Sequence, residues 1–267
     1  MRRIFSWLLP ALALCAVLSQ PPDATAIPYG EPDNGQHPYV GIVVLWADDV
    51  PLTFCSGTLI APTVFLTAAH CLVGANRAEI SFDEEVNRGN PPPWVTGTPH
   101  PHPDYDDFAA FPDNHDVGIV TLDEPVVMAQ YGILPDPGIL DDLATARGRK
   151  NQLMTLVGYG LGTIYPFTPL LPPPVILDRR VAESMLVNLR SALTDGYNIQ
   201  TSGHPGEGRG DGGICFGDSG GPLLLNDSDT VVGIVSFAMD PICRGVAYHT
   251  RVDTEDSLDF IESFLLP

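Results

Sequence analysis

The chain has 267 residues, of which 44% are apolar and 17% charged, so it is long enough for one large or two modest domains with a buried core. This balance of apolar and charged residues excludes a disordered chain. Lys and Arg total 13 against 33 Asp and Glu, and the formal net charge of −20 would repel a phosphate backbone. We therefore expect no nucleic-acid partner.

The first 26 residues have the pattern of a secretory signal peptide. Met1-Arg2-Arg3 is a short basic start, residues 4–18 are almost all apolar, and Ala24-Thr25-Ala26 offers small residues to a signal peptidase. The apolar stretch, about 15 residues, is shorter than the roughly 20 that cross a bilayer. We expect cleavage after Ala26, a mature chain that begins at Ile27, and a secreted protein, extracellular or periplasmic, with no membrane contact after cleavage.

The remaining cysteines indicate disulfide bonds. Cys15 is lost with the signal peptide, which leaves Cys55, Cys71, Cys215 and Cys243. An even number in an exported protein predicts two disulfides, and the sequence alone does not rank the three possible pairings. Neither Cys-x-x-Cys nor His-x₃-His spacing occurs, so we expect no metal site and no cofactor.

Short β-rich apolar runs recur between turn residues along the mature chain. They cover residues 39–46, 58–60, 64–67, 117–122, 153–157, 222–225 and 231–237. This spacing predicts an all-β sandwich or barrel. Residues 136–150 are polar and loop-like, so we expect an N-terminal barrel over 27–148 and a C-terminal barrel over 149–267. The proline-rich residues 166–174 predict a surface loop.

The tail is the one segment with a helical pattern. Its apolar residues recur at i, i+3 and i+7, at Leu258, Ile261 and Leu265. Asp253 or Thr254 can cap such a helix. A C-terminal helix is therefore expected.

Three local patterns supply a base, a carboxylate and a nucleophile. They are Leu66-Thr67-Ala68-Ala69-His70-Cys71, His115-Asp116-Val117-Gly118 and Gly217-Asp218-Ser219-Gly220-Gly221-Pro222. Each alone has an ordinary structural explanation, as a core histidine, a turn aspartate or a tight turn. In the order His70, Asp116, Ser219 they combine the groups that nucleophilic acyl transfer requires.

With these motifs the chain resembles the chymotrypsin/trypsin-like serine protease family over essentially its whole mature length. Further segments that resemble the family are Cys55-Ser56-Gly57, His102-Pro103-Asp104-Tyr105, Gly158-Tyr159-Gly160 and Val235-Ser236-Phe237. The resemblance implies two packed antiparallel six-stranded β-barrels with a cleft between them and a C-terminal helix. It also implies disulfides Cys55–Cys71 and Cys215–Cys243, and a monomeric secreted endopeptidase that acts on protein or peptide substrates.

The resemblance assigns catalytic roles residue by residue. Ser219 Oγ would attack the scissile carbonyl, His70 would carry the proton, and Asp116 would orient and stabilise the His70 imidazolium. The N–H groups of Gly217 and Ser219 would form the oxyanion hole. Ser236 would support Asp116, and Ser236-Phe237-Ala238 would pair with the substrate as an added strand.

The aspartate before the nucleophile has its own implied role. In the family it pairs with a newly freed N-terminal ammonium, here that of Ile27 with Asp218. Export would then generate the active N-terminus directly. Pro28 departs from the family's Ile-Val-Gly-Gly start, because proline lacks one backbone donor.

The residues around the primary pocket do not indicate a trypsin-like preference. The family position at the base of this pocket, six residues before Ser219, is Gly213 rather than an aspartate. Ile214 and Ala238 would line the pocket, which favours small or medium apolar substrate side chains. Arg244 offers the alternative of an acidic substrate residue.

Two other functions fit parts of the sequence. Gly217-x-Ser219-x-Gly221 also matches the elbow of α/β-hydrolases, with Asp240 and His249 downstream, but the residues after Gly221 predict a strand rather than the helix this elbow needs. A secreted binding protein on the protease fold, without turnover, is the alternative function. Such inactive homologues usually lack a triad residue.

One acidic segment offers calcium binding as an alternative to the expected absence of a metal site. Asp83, Glu84 and Glu85 lie where some family members bind calcium in a loop after the histidine. Exposed acidic loops are common in so negative a chain, so the signal is weak.

Overall fold

The computed structural model describes residues 27–87, 93–145, 152–161, 176–203, 212–240, 243 and 245–265. The predicted signal peptide, the proline-rich residues 166–174 and Arg244 lie outside these residues. The predicted division between residues 148 and 149 also lies outside them and stays a prediction.

Strands dominate the described chain. In chain order they are β1 (Glu31–Pro32), β2 (Val40–Ala47), β3 (Val50–Ala61), β4 (Val64–Thr67), β5 (Arg77–Ser81), β6 (Glu85–Asn87), β7 (Val95–Pro101), β8 (Gly118–Leu122), β9 (Leu153–Gly158), β10 (Ile176–Asp178), β11 (Arg180–Asn188), β12 (Asn198–Ser202), β13 (Pro222–Leu225), β14 (Val231–Ala238) and β15 (Val246–Arg251). The helices are α1 (Ala69–Leu72), α2 (Asp141–Thr145) and α3 (Glu255–Glu262). No helix in the described part of the chain is long and apolar enough to cross a bilayer.

The strands close into two barrels, each with its own apolar core. The first barrel has the order β2-β3-β4-β8-β7-β5 and closes where β5 pairs with β2. The second has the order β11-β12-β15-β14-β13-β9 and closes where β9 pairs with β11, with β1 added beside β11. All of these pairings are antiparallel. The expected all-β fold of two antiparallel six-stranded barrels with a C-terminal helix is confirmed.

The apolar runs located only some of the strands. They found β2, β3, β4, β8, β9, β13 and β14, and the strands they missed include some whose buried positions are polar. In β12 and β15, for example, Thr201 and His249 are both fully buried, and Thr201 Oγ1 lies 2.9 Å from His249 Nε2. A polar pair of this kind is satisfied only by the tertiary contact, so neither strand looks apolar in sequence. The segment 136–150, expected as a loop, contains the short helix α2.

Helix α3 attaches the end of the chain to the first barrel. It begins after Thr254, whose Oγ1 accepts the Ser257 N–H across 3.3 Å. Asp253, the other predicted cap, instead accepts the Leu140 N–H across 2.9 Å and pairs with Arg251. On the other side of the helix, the Phe260 ring lies 4.6 Å from the His102 ring, centroid to centroid. The helix therefore packs against the segment that leads from β7 to Asp116.

Candidate active site

His70 and Asp116 form a hydrogen-bonded pair on the first barrel. His70 lies in α1, and Asp116 lies two residues before β8. His70 Nδ1 is 2.8 Å from Asp116 Oδ2, and the His70 backbone N–H donates to Asp116 Oδ1 across 2.8 Å. Ser236 Oγ–H, from the second barrel, donates to Asp116 Oδ2 across 2.5 Å. Because Nδ1 faces Asp116, Nε2 is the nitrogen left for a substrate.

The electrostatic surroundings of this pair favour the protonated form of the His70 imidazole. Burial lowers the pKa of His70, but the charge and hydrogen bond of Asp116 outweigh burial, so this pKa lies above the ordinary 6.5. Burial raises the pKa of Asp116, while His70 and Ser236 lower it, and the net pKa lies below the ordinary 3.8. The ionised carboxylate therefore stabilises a protonated imidazole.

Ser219 lies in a turn on the second barrel and lines the same cleft as His70. The cleft has a volume of about 640 Å³ and takes its walls from both barrels. No hydrogen bond joins Ser219 Oγ and His70 Nε2 among the described residues, and Nε2 lies 3.6 Å from Cys71 Sγ. Such bonds are often long in free enzymes and tighten when substrate binds.

The turn before Ser219 presents two backbone donors. The N–H groups of Gly217 and Ser219 meet no acceptor in the part of the chain that the structure describes. The Phe216 carbonyl accepts the Leu161 N–H across 2.8 Å, and in a trans peptide this directs the Gly217 N–H away from Leu161. Gly217 has φ +96°, and a Cβ there would lie 2.4 Å from the Phe54 ring, so glycine is required. Two such donors suit a developing oxyanion.

Ser56 holds this turn from the opposite barrel, a role that the sequence did not reveal. Its N–H donates to the Ser219 carbonyl across 2.8 Å, and its Oγ–H donates to the Gly217 carbonyl across 2.9 Å. Its Oγ also accepts the Tyr159 N–H across 2.9 Å. The available signal was a hydroxyl group inside the segment Cys55-Ser56-Gly57. Ser56 thereby holds the carbonyl groups of the two residues on either side of Asp218.

The Asp218 carboxylate is buried beneath the turn. Its Oδ1 accepts the Gly160 N–H and its Oδ2 accepts the Cys215 N–H, each across 2.8 Å, and the Ile27 backbone N–H is a third donor. A Cβ on Gly158 would lie 2.5 Å from Oδ1, and one on Gly160 would lie 2.4 Å from Cγ. The Gly-Tyr-Gly segment is therefore glycine on both sides of Tyr159 because the carboxylate occupies that space.

No cation pairs with Asp218 among the described residues. Burial raises its pKa to about 7, although the three backbone donors act in the opposite direction. The Ile27 side chain is fully buried, and Ile27 has φ +47°, a conformation that β-branched residues rarely adopt. The fold thus places the Ile27 nitrogen beside a carboxylate that lacks a counter-charge.

The predicted specificity residues separate into two groups. Ile214, Ser236, Phe237 and Ala238 line the cleft with His70 and Ser219. Gly213 is not among the described lining residues, because its backbone packs against Gly203, where an added Cβ would lie 2.3 Å from the carbonyl oxygen. Apart from His70, Asp240 is the one charged side chain in the described lining.

Both expected disulfides, Cys55–Cys71 and Cys215–Cys243, are confirmed. The first lies beside His70, and the second lies beside the turn that carries Ser219. Cys55, His70 and Cys71 form a close group, but the disulfide leaves no thiolate there to bind a metal. Two disulfides fit an extracellular protein.

Comparison with known proteins gives one consistent match. The family model described as Trypsin matches residues 30–258. A trypsin from Saccharopolyspora erythraea is 30% identical over 223 residues, which are 78% of this chain and 85% of that protein. Brachyurin from Leptuca pugilator is 29% identical over 206 residues, 75% of this chain and 81% of that protein.

Solved structures with the same fold are more distant in sequence. The structure of HL collagenase has a TM-score of 0.67 and 20% identity, and the match covers 89% of this chain and 97% of that one. Human heparin binding protein has a TM-score of 0.63 and 19% identity, with 90% and 96% covered.

We expect the pKa of His70 to fall when Asp116 is replaced by Asn, because an amide supplies no negative charge. Titration of the His70 imidazole by NMR should give a midpoint above 6.5 in the unaltered protein and a lower one in Asp116→Asn. Asp104→Asn removes an exposed carboxylate from the same connection and should leave the midpoint unchanged. Equal midpoints in the protein and Asp116→Asn would contradict the assignment.

Proposed function

The chain belongs to the trypsin family of serine proteases, and we propose that it is a secreted serine endopeptidase whose catalytic triad is His70, Asp116 and Ser219. The observation that carries the proposal is the buried Asp116 carboxylate, which accepts two hydrogen bonds from His70 and one from Ser236. A buried charge needs such partners, and this set orients the imidazole at the edge of the cleft that Ser219 lines.

The proposed reaction proceeds through an acyl-enzyme. Ser219 Oγ attacks the scissile carbonyl while His70 Nε2 takes the hydroxyl proton, and the imidazolium then gives it to the leaving amine. Asp116 stabilises the imidazolium without taking its proton. The free N–H groups of Gly217 and Ser219 receive the oxyanion. Water then repeats the sequence on the ester and releases the acid.

The alternatives have less support. Ser219 is followed by strand β13 rather than by a helix, and His249 is buried against Thr201 inside the second barrel, which argues against the α/β-hydrolase elbow. A binding protein without turnover has no observation of its own in favour. The likeness to human heparin binding protein concerns the fold.

The triad is tested by covalent labelling with a sulfonyl fluoride. We expect a single adduct, located at Ser219 by peptide mass mapping and absent in Ser219→Ala, because only an activated serine reacts rapidly. Ser228→Ala, which removes an exposed serine, should label normally. In Asp116→Asn the rate should fall by about 10³-fold or more. A protein that begins at Ile27 and forms no adduct would overturn the triad and support the binding role.

We also propose that Ile27 is the mature N-terminus and that its ammonium pairs with Asp218. The Ile27 nitrogen already lies at the carboxylate, and cleavage before Ile27 would release the unfavourable φ. The Pro28 carbonyl accepts the Gly213 N–H across 3.3 Å, so the fold uses the acceptor of Pro28 and does not need the donor that proline lacks.

This pairing predicts a pH-dependent gain in stability on maturation. In a chain that retains Ala26, the folded Asp218 has a pKa of about 7 against the ordinary 3.8. A folded state that binds more protons than the unfolded state loses stability as pH rises between these two values. The Ile27 ammonium would lower the folded pKa and remove that loss. Urea unfolding, measured in a Ser219→Ala background, gives the free energy of unfolding of the mature chain and of the chain that retains Ala26. The mature chain should exceed the extended chain by more at about pH 8 than at about pH 5.

The matched control for this comparison is Asp218→Asn, which removes the titrating group. The pH dependence of the stability difference between the mature and Ala26-extended chains should disappear in that variant. If the mature and Ala26-extended chains with Asp218 present differ in stability by the same amount at both pH values, the Ile27–Asp218 ion pair is excluded.

For specificity, we propose an apolar side chain before the scissile bond. The described lining offers Ile214 and Ala238, its one acidic side chain is Asp240, and the residue at the family's pocket-base position is Gly213 rather than an aspartate. Burial of a substrate Arg without a counter-charge would cost several kcal/mol. Peptides that differ only in the residue before the scissile bond should give a kcat/KM about tenfold or more higher for Leu than for Arg. The variant Ile214→Asp should reduce this ratio. Faster cleavage after Arg would contradict the proposal.

A further inference from the structure

We propose that His102, His115 and Asp256 form a site for one divalent transition-metal ion, with Zn²⁺ as the best fit. The site joins the segment before Asp116 to helix α3. The proposal does not depend on the proposed protease activity. The expectation of no metal site rested on local spacing of ligands, whereas these three residues are brought together by the fold.

The three ligand atoms are already close together. Asp256 Oδ2 lies 2.9 Å from His115 Nδ1 and 3.5 Å from His102 Nε2, and all three atoms lie within 4.8 Å of one another. In a tetrahedral zinc site with bonds of about 2.0–2.1 Å, neighbouring ligand atoms are about 3.3 Å apart. Two imidazoles and a carboxylate favour Zn²⁺ over Ca²⁺ or Mg²⁺, which prefer oxygen ligands.

The side-chain amide of Asn114, beside the cluster, is a second and independent indication of a bound ligand. Asn114 is 1% exposed, and neither its Oδ1 nor its Nδ2 has a hydrogen-bond partner among the described residues. It lines a cavity of about 180 Å³ together with His115, Asp256 and Thr250, whose Oγ1 is also buried with no partner in the part of the chain that the structure describes. Buried polar groups are normally satisfied, so this cavity suits a hydrated ion. Asn114 and Thr250 therefore offer unused hydrogen-bonding groups to water in the same cavity that His115 and Asp256 line.

The surroundings of the cavity tolerate a cation. Arg251 also lines it, but this guanidinium is paired with Asp253 and Asp141, so its charge is balanced. Asp113 adds a carboxylate whose Oδ1 lies 3.6 Å from His115 Nε2. The Asp256 side chain is 57% exposed, so an ion from solution has access to the site.

The backbone at His115 is strained, and this conformation directs the His115 side chain toward Asp256. Its φ is +46°, which costs free energy for any residue with a Cβ and persists only where the surrounding structure imposes it. The strained turn sends the His115 side chain to Asp256 on α3, while the next residue, Asp116, faces His70.

Metal binding requires two identifiable changes in the free protein. The His102 and His115 rings are stacked, with centroids 5.0 Å apart and an interplanar angle of 11°. A nitrogen lone pair lies in its ring plane, so one ring must rotate before both can bind one ion. His102 Nδ1 accepts the Asp104 N–H across 3.2 Å, and coordination through Nε2 moves the remaining ring proton to Nδ1 and breaks this contact.

The test is zinc titration of the mature chain after removal of metals with a chelator. We expect calorimetry to show one Zn²⁺ per chain, and Co²⁺ to give the visible bands of a tetrahedral site. His115→Ala and Asp256→Asn should each weaken Zn²⁺ binding at least tenfold. Asp259→Asn makes the same charge change on an exposed position of α3 and should bind normally. NMR should show the Asp104 amide shifting on Zn²⁺ addition.

A second variant separates this site from the catalytic histidine, which also offers a free imidazole nitrogen. His70→Ala should retain the Co²⁺ bands and the Zn²⁺ affinity. Absence of saturable Zn²⁺ binding, normal binding in both His115→Ala and Asp256→Asn, or loss of binding in His70→Ala would each overturn the proposal.

Discussion

Burial of the Asp218 carboxylate is the constraint on which the turn that carries Ser219 depends. A buried charge must be hydrogen-bonded, and the donors are the backbone N–H groups of Gly160, Cys215 and Ile27. Because the carboxylate occupies this space, Gly158 and Gly160 cannot carry side chains. The turn above it leaves the N–H groups of Gly217 and Ser219 without acceptors among the described residues. The oxyanion-type donors are thus a consequence of how one acidic group is buried.

The Asp33–Arg179 ion pair anchors the N-terminal segment six residues after Ile27. Arg179 Nε donates to Asp33 Oδ2 across 2.9 Å, and the Asp33 N–H donates back to the Arg179 carbonyl across 3.0 Å. The same guanidinium donates to the carbonyls of Val40 and Phe82 in the first barrel. Breaking such a pair would leave a buried charge unpaired. Arg179 also uses one backbone oxygen of the acidic segment considered for calcium, since its N–H donates to the Glu84 carbonyl.

Local patterns predicted the parts of the molecule that depend on neighbours in sequence. Short apolar runs found seven of the strands, β2 and β4 among them, and Thr254 capped the helix as expected. The family resemblance supplied the disulfide pairing, which spacing had left open. What could not be predicted depends on residues far apart in the chain, such as the Thr201–His249 pair inside the second barrel. Ser56 belongs to the same class, because its partners lie 103 and 161 residues away.

The segment 113–116 shows why a motif can hide a second role. Asp116 accounts for the catalytic motif, so the sequence gives no reason to examine the Asp, Asn and His before it. In the fold a left-handed turn at His115 divides the segment between two faces, with Asp116 toward His70 and His115 toward α3. Asp116 is held by three hydrogen bonds, so an ion on the outer face would act mainly on how α3 is attached. Its effect should therefore appear in stability before it appears in catalysis, because ligand that binds only the folded chain raises stability by mass action.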